Sequence, residues 1–209
     1  MLIALALLLL ADPPAAPALP VPPALIINGT LFIAPSGEPF RGKAGEPYPV
    51  ATWFARADKD GDGKLTRAEF RRDALSFFPA LDVNGDGVID GKEITRYEEE
   101  LVPEVRVSFA GGPQYRGTRT AALAEGSPTG STRKEPDLPR GAGRYALINS
   151  PQPVVSVDTD FNRRITPQEM SAAADRRFTL LDPDGVGFLT LAGLPRTPTQ
   201  KRAEARLKK

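Results

Sequence analysis

The spacing of apolar positions predicts short amphipathic helices in the first half of the chain. Val50, Trp53 and Phe54 stand at i, i+3 and i+4, which places them on one side of a helix over residues 49–57. A second apolar stripe lies in residues 70–81 and comprises Phe70, Ala74, Phe77, Phe78 and Leu81. A third stripe, which stops before a proline, comprises Ile94, Tyr97 and Leu101. The pattern predicts a mainly α fold built from short helices.

Extended structure is indicated in only two places. LIINGTLFI carries Asn28-Gly29 between apolar runs, which is typical of a β-hairpin turn. VRVSF, beginning at Val105, alternates apolar and polar residues as a short strand does. The glycines and prolines of residues 35–47 predict a loop. A small β element near the N-terminus is therefore expected beside the helices.

Two polar segments flank the second helix and have one residue pattern. DKDGDGKLTRAE covers residues 58–69 (loop 1) and DVNGDGVIDGKE covers residues 82–93 (loop 2). Acidic or amide side chains stand at positions 1, 3 and 5, a glycine at 6 and a glutamate at 12. A hard cation takes oxygen ligands, and alternate residues of a tightly curled loop present their oxygens inward. The candidate ligands are Asp58, Asp60, Asp62, Thr66 and Glu69 in loop 1, Asp82, Asn84, Asp86, Asp90 and Glu93 in loop 2, and the main-chain carbonyls of Lys64 and Val88.

These segments resemble the calcium loops of the EF-hand family. The resemblance implies Ca²⁺ binding, with Glu69 and Glu93 each closing the ligand shell with two oxygens. It also implies that Leu65 and Ile89, at position 8 of loops 1 and 2, can form a short antiparallel bridge to the partner loop of the same pair. Two Asp- and Gly-rich surface turns that bind nothing are the alternative.

The pattern returns when the chain is shifted by 100 residues. Loop 3, residues 158–169, repeats the ligand positions with Asp158, Asp160, Asn162, Arg164 (through its carbonyl), Thr166 and Glu169. Arg163 stands at its glycine position, so we expect weaker binding there, because a non-glycine residue in the left-handed region costs about 1–2 kcal/mol. Such a duplication defines the architecture more strongly than any single motif.

Loop 4, residues 182–193, begins with Asp182 but lacks two ligands. Val186 replaces the carboxylate at position 5, and Gly193 replaces the closing glutamate. We therefore expect loop 4 to bind no calcium. We hypothesise that Leu189 lies opposite Ile165, so that loop 4 supports loop 3.

The two loops of each half are 24 residues apart, and only residues 70–81 separate loop 1 from loop 2. One helix must therefore leave the first loop and enter the second. This spacing resembles the tandem EF-hands of exported bacterial proteins. The predicted divisions are a signal peptide (1–18), a Pro-rich extended segment (19–47), a first EF-hand pair (48–103), a Gly/Pro-rich linker (104–147), a second, degenerate pair (148–195) and a basic tail (196–209), which is expected to be solvated and frayed.

Composition narrows the chemistry. The 209 residues include no cysteine and no histidine, which excludes thiol catalysis, histidine catalysis and ordinary zinc sites. Charge is nearly balanced, with 27 basic against 26 acidic residues, so no nucleic-acid partner is indicated. The N-terminal run MLIALALLLLA is too short to span a bilayer but has the length of a signal-peptide core. We expect a periplasmic or secreted protein without stable membrane insertion.

The leading functional hypothesis is a non-enzymatic calcium buffer, or a protein that calcium stabilises. Sensors expose a Met-rich groove, whereas this chain has two methionines. The alternatives are a calcium-dependent interaction or adhesion module of the cell envelope, a calcium sensor, and a lanthanide binder. The lanthanide-binding EF-hand proteins carry proline at position 2 of their loops, and here only Pro183 does, in the loop least able to bind.

Overall fold

The computed structural model describes residues 30–43, 46–106 and 139–207. The predicted signal peptide and the Asn28-Gly29 turn lie outside these residues. Among the described residues, no helix is both long enough and apolar enough to cross a membrane.

The small β element is a hairpin of β1 (Thr30–Ile33) and β2 (Pro39–Gly42), paired antiparallel. β2 falls within residues 35–47, so the prediction of a loop there is wrong for these four residues. The strand forms because Phe40 packs its ring against Phe32, with centroids 6.2 Å apart.

The helices of the first half begin and end close to the predicted positions. They are α1 (Val50–Ala57), α2 (Arg67–Leu81) and α3 (Gly91–Arg96), which continues as a π-helical turn over Tyr97–Leu101. Both α2 and α3 start with a capping box, which pairs the first free amides of each helix with the side chains at positions 9 and 12 of the preceding loop. Residues 104–106 form a helical turn, so the strand predicted from Val105 is wrong over its described part.

The second half repeats this arrangement, but a short 3₁₀ turn precedes its first loop in place of a helix such as α1. A 3₁₀ turn over Val155–Val157 precedes loop 3, and α4 (Pro167–Leu181) follows it. α5 (Pro198–Leu207) lies in the segment predicted to be a frayed tail. The prediction of fraying is wrong here, because Thr197, which is fully buried, forms a hydrogen bond with the hydroxyl of Tyr48 at the start of α5. The side chains of Lys201 and Arg202 are exposed.

The halves pack through α2 and α4. The Arg71 guanidinium donates to both carboxylate oxygens of Asp175, at 2.7 and 2.8 Å. Nearby, the Arg67 guanidinium lies 4.5 Å from the ring centroid of Phe178, and this ring meets Phe70 edge to face at 5.6 Å. The two copies of the repeat are therefore joined by direct packing of these two helices.

The loops pair across the halves. β3 (Leu65–Thr66, loop 1) pairs antiparallel with β4 (Phe188–Leu189, loop 4), and Leu65 stands opposite Leu189. Ile89 of loop 2 exchanges two main-chain hydrogen bonds with Ile165 of loop 3, at 2.8 and 3.0 Å. The hypothesis that loop 4 supports loop 3 is therefore wrong.

Helix length explains this pairing. α2 has 15 residues and is therefore about 22 Å long. Loops 1 and 2 stand at its two ends and cannot meet, and loops 3 and 4 are separated by α4 in the same way. Antiparallel packing of α2 against α4 brings loop 1 to loop 4 at one end and loop 2 to loop 3 at the other.

Each end has its own apolar core. The core at the loop 1–loop 4 end contains Trp53, Phe70, Phe178, Leu65 and Leu189. The other contains the second loop pair, Ile89 and Ile165, together with Tyr97 and Met170. The predicted mainly α fold with a small N-terminal β element is confirmed.

Candidate metal centres

Loop 1 is curled by its own aspartates. Asp58 accepts from the amides of Gly61 (Oδ1) and Gly63 (Oδ2), both at 2.9 Å. Asp62 accepts from the amide of Lys64 at 2.7 Å. The two glycines have φ of 71° and 80°, a conformation that glycine adopts at little cost. The curl brings carboxylate oxygens at both ends of the loop together.

The oxygens that meet belong to Asp58, Asp60 and Glu69, and one from each lies within 4.8 Å of the others. Burial raises the pKa of Asp58, with the neighbouring Glu69 and Asp62 carboxylates adding to the rise. Burial also works to raise the pKa of Glu69, but hydrogen bonds from Thr66 and from the Lys59 amide outweigh it and lower the pKa. Glu69 is therefore held ionised beside two other carboxylates, which favours a cation between them.

Glu69 reaches the loop from the first turn of α2. Its Oε2 accepts from the amide and the hydroxyl of Thr66, and its Oε1 accepts from the amide of Lys59 at 2.9 Å. The glutamate thus ties position 12 back to position 2. The same side chain serves as a helix cap and stands where the closing ligand is expected.

Loop 2 has the same construction. Asp82 accepts from the amides of Asp86 and Gly87, at 3.1 and 2.9 Å. Glu93 accepts from the amide of Val83 at 2.8 Å and from that of Asp90 at 2.9 Å. Positions 1 and 12 of loop 2 are therefore fixed as they are in loop 1.

Loop 3 keeps the carboxylate cluster despite its substitutions. Oxygens of Asp158, Asp160 and Glu169 lie within 4.8 Å of one another. One oxygen of Asp158, Oδ1, is buried and has no hydrogen-bond partner. An unpartnered buried carboxylate oxygen is costly, and a cation at this point would satisfy it. The residues present in loop 3 therefore fit a bound cation.

Two residues of loop 3 that stand where loops 1 and 2 have glycine have a strained backbone conformation. Arg163 at position 6 has φ of 62°, which confirms the left-handed conformation predicted from the repeat. Phe161 at position 4 also has a positive φ, 60°, and its side chain is 85% exposed. The prediction missed Phe161, although the alignment with Gly61 and Gly85 at position 4 contained the signal.

Loop 4 curls without a set of ligands. Asp182 accepts from the amides of Val186 and Gly187, at 2.8 and 2.9 Å. Val186 points an exposed apolar side chain from position 5. At position 12, the amide of Gly193 donates to the carbonyl of Thr190 at 3.0 Å. No carboxylate closes this loop.

The structure thus brings together the first, third and last acidic side chains of loops 1 and 3. Asp62 is engaged with the loop main chain outside the three-carboxylate group. The carbonyl ligands of Lys64, Val88 and Arg164 stay predictions. Oxygen donors of this kind suit hard cations such as Ca²⁺ rather than softer metals.

Comparison with known proteins agrees with this chemistry. Residues 50–75 and 76–96 match the family model described as EF hand. These two adjacent segments contain loops 1 and 2, and the match supports an EF-hand family and calcium binding. No curated protein and no solved structure matches the chain. The fold is thus mainly α and EF-hand-like, while the more specific exported bacterial tandem type stays a prediction.

Proposed function

We propose that this protein is an exported, non-enzymatic calcium binder in which the ions stabilise a rigid fold and buffer the surrounding calcium. The observation that carries the proposal is the convergence of three carboxylates in loop 1, repeated in loop 3. Two of these, Glu69 and Glu169, have lowered pKa values because hydrogen bonds from the loop main chain and side chains outweigh the effect of burial. Loops 1 and 2 are the stronger sites, and loop 3 is weaker because of Arg163.

A sensor requires helices that open when calcium binds. Here each long helix belongs to two loops, and α2 packs against α4 with Arg71 and Asp175 paired across the contact. Movement at one loop would have to displace the helix that positions another. Met170 is fully buried, so it supplies no exposed methionine surface for a target. These features favour a buffer or structural role over a switch.

The inner face of α1 adds to the rigidity. The Trp53 indole donates to Asp73 on α2 at 2.8 Å, and Asp73 accepts from Arg56 at 2.6 Å. Arg56 also pairs with Glu38 of the hairpin turn. The entry helix of loop 1, the shared helix and the hairpin are therefore joined by one partly buried polar network, in which the Trp53–Asp73 bond is the buried member.

Calorimetric titration of the full chain with Ca²⁺ tests the proposal. We expect two tight sites and one weaker site. Glu69→Gln, Glu93→Gln and Glu169→Gln should each remove one of them, because each takes away a closing carboxylate. The matched control is Glu99→Gln, which lies outside the loops and should leave the count unchanged. Failure of the unaltered chain to bind Ca²⁺ would overturn the proposal.

Two further measurements separate the roles. A dye that fluoresces on apolar surfaces should show little change when calcium is added, whereas a large rise would indicate a sensor. For the proposed export, the cellular fraction and the mass of the mature protein are decisive. Cleavage after Ala11 or Ala18 with recovery outside the cytoplasm is the expected result, and an uncleaved cytoplasmic chain would contradict export.

A further inference from the structure

We infer that loop 4 is a metal-independent brace for the cation site of loop 1, and that Asp182 is the positioning residue of this brace. The inference rests on the proposed calcium binding by loop 1. It assigns a role to the loop that carries no ligand set, and it connects two segments more than 100 residues apart in the chain.

Loop 4 is attached directly to loop 1. Leu65 pairs with Leu189 and Thr66 with Phe188 in an antiparallel ladder. Thr66 is position 9 of loop 1 and caps α2, and its hydroxyl donates to Glu69, the closing carboxylate. The strand that loop 4 holds therefore leads directly into the residues that complete the site.

The attachment is reinforced on both sides of the ladder. Leu65 and Leu189 are buried in the same apolar core. On the outer side, the Lys64 ammonium lies 5.0 Å from the ring centroid of Phe188. Both residues occupy position 7 of their loops, so the contact aligns the two loops at the point where the Lys64 carbonyl is expected to serve as a ligand.

Loop 4 reaches its curled form without an ion. Asp182 is only 8% exposed, and its two carboxylate oxygens are each taken by a main-chain amide of the loop, those of Val186 and Gly187. Its role matches that of Asp82 in loop 2, which accepts from the equivalent amides. The hydrogen bonds that curl a binding loop are therefore present here, whereas the carboxylates that would hold a cation at positions 5 and 12 are not.

The ion-independent order of loop 4 bears on the Ca²⁺ affinity of loop 1. A loop that must be ordered by its ion spends part of the binding free energy on that ordering. Because the curl of loop 4 needs no ion, β4 can hold β3 and the cap of α2 in place before the cation enters. Loosening loop 4 should therefore weaken loop 1 while leaving loops 2 and 3, at the other end of the helix pair, unchanged.

The experiment isolates each site in the full chain. In a background with Glu93→Gln and Glu169→Gln, only loop 1 retains its closing carboxylate. Adding Asp182→Asn there removes one of the two acceptors that curl loop 4, and we expect Ca²⁺ affinity to fall roughly tenfold, the effect of one charge-assisted hydrogen bond. Asp184→Asn is the matched control, because this exposed residue of the same loop makes the same charge change and the structure describes no hydrogen bond from its side chain. The control should alter affinity by less than about twofold.

A second background, Glu69→Gln with Glu169→Gln, leaves only loop 2 complete. Asp182→Asn should have no effect on Ca²⁺ affinity in this background, whereas general destabilisation would weaken both. Gly187→Ala provides an independent variant. Gly187 has φ of 90° and open space around its Cβ position, so the substitution strains the curl of loop 4 without touching the core. It should also weaken loop 1 selectively.

Several outcomes would overturn the inference. They are an unchanged loop 1 affinity in Asp182→Asn, an equal effect of Asp184→Asn, or an equal loss at loop 2. Loss of an entire binding event on adding Asp182→Asn to the otherwise unaltered chain would show that loop 4 itself holds a cation. Failure of the unaltered chain to bind Ca²⁺ would instead reject the proposed function.

Discussion

Arg163→Gly should stabilise the calcium-free protein. Arg163 has φ of 62° at position 6 of loop 3, where loops 1, 2 and 4 have glycines with φ between 80° and 90°. A side chain in this region costs about 1–2 kcal/mol. Glycine removes that cost but makes the unfolded chain more flexible, at about 0.5–1 kcal/mol. The net gain is about 0.5–1 kcal/mol.

Arg164→Gly is the matched control. Arg164 is the next residue, is exposed like Arg163, and does not have a positive φ. Its substitution removes the same charge and adds the same unfolded-state flexibility, but relieves no strain. The difference in unfolding free energy between the two variants therefore measures the strain alone, and should be about 1–2 kcal/mol.

Thermal unfolding followed by circular dichroism, with a chelator present, is the assay. For a chain of this size, Arg163→Gly should raise Tm by about 1–4 °C and Arg164→Gly should lower it by a similar amount. With calcium restored, both variants should tighten the loop 3 site, because each removes a positive charge beside it. Equal melting temperatures would refute the assignment of strain to Arg163.

In a calorimetric titration, Glu93→Gln should remove one bound ion and should also weaken Ca²⁺ binding at loop 3 a few-fold, because loops 2 and 3 are hydrogen-bonded to each other. Loop 1 should keep its affinity. Asp73→Asn removes the buried charge that accepts from Trp53 and should lower the free energy of unfolding, measured in urea, by about 1.5–3 kcal/mol. Asp175→Asn, in a more exposed ion pair, should lower it by less than about 1 kcal/mol. Burial raises the pKa of Tyr48 to about 12, so the neutral phenol is favoured by folding. The stability that the neutral Tyr48 phenol contributes is complete below about pH 10 and is lost as the pH rises towards 12. The unfolding free energy of the unaltered chain should therefore fall over that interval, and it should fall less steeply in Tyr48→Phe.

Local structure was predictable from the residues because its causes are local. The glycines and aspartates of loop 1 define its curl through hydrogen bonds that span at most five residues. Thr66 and Glu69 cap the helix that the apolar stripe predicts. Even the left-handed conformation of Arg163 followed from the repeat, since the chain can make this turn only by taking φ > 0 at position 6.

The partner of each loop was not predictable from the loop pattern. Position 8 of each loop holds a similar aliphatic residue: Leu65, Ile89, Ile165 and Leu189. The identity of these residues therefore does not predict which loop pairs with which. The preference comes from the rigid helix between two loops, whose length keeps them apart. The hairpin strand β2 was missed because its glycine- and proline-rich surroundings predict a loop, whereas the ring of Phe40 packs against Phe32 and Arg56, which lie outside that segment.

In this protein, the loops that are neighbours in the sequence repeat are therefore not the loops that pair with each other. The repeat joins loop 1 to loop 2 and loop 3 to loop 4 along the chain, whereas the hydrogen bonds join loop 1 to loop 4 and loop 2 to loop 3 in space. Neither half can satisfy its own position-8 residues, because in each half a 15-residue helix holds the two loops apart. Because loop 4 lacks predicted ligands at positions 5 and 12, one end of the helix pair has one loop with a full set of predicted ligands and the other end has two. The asymmetry fits a protein in which the fourth loop is retained for the contact it makes rather than for an ion.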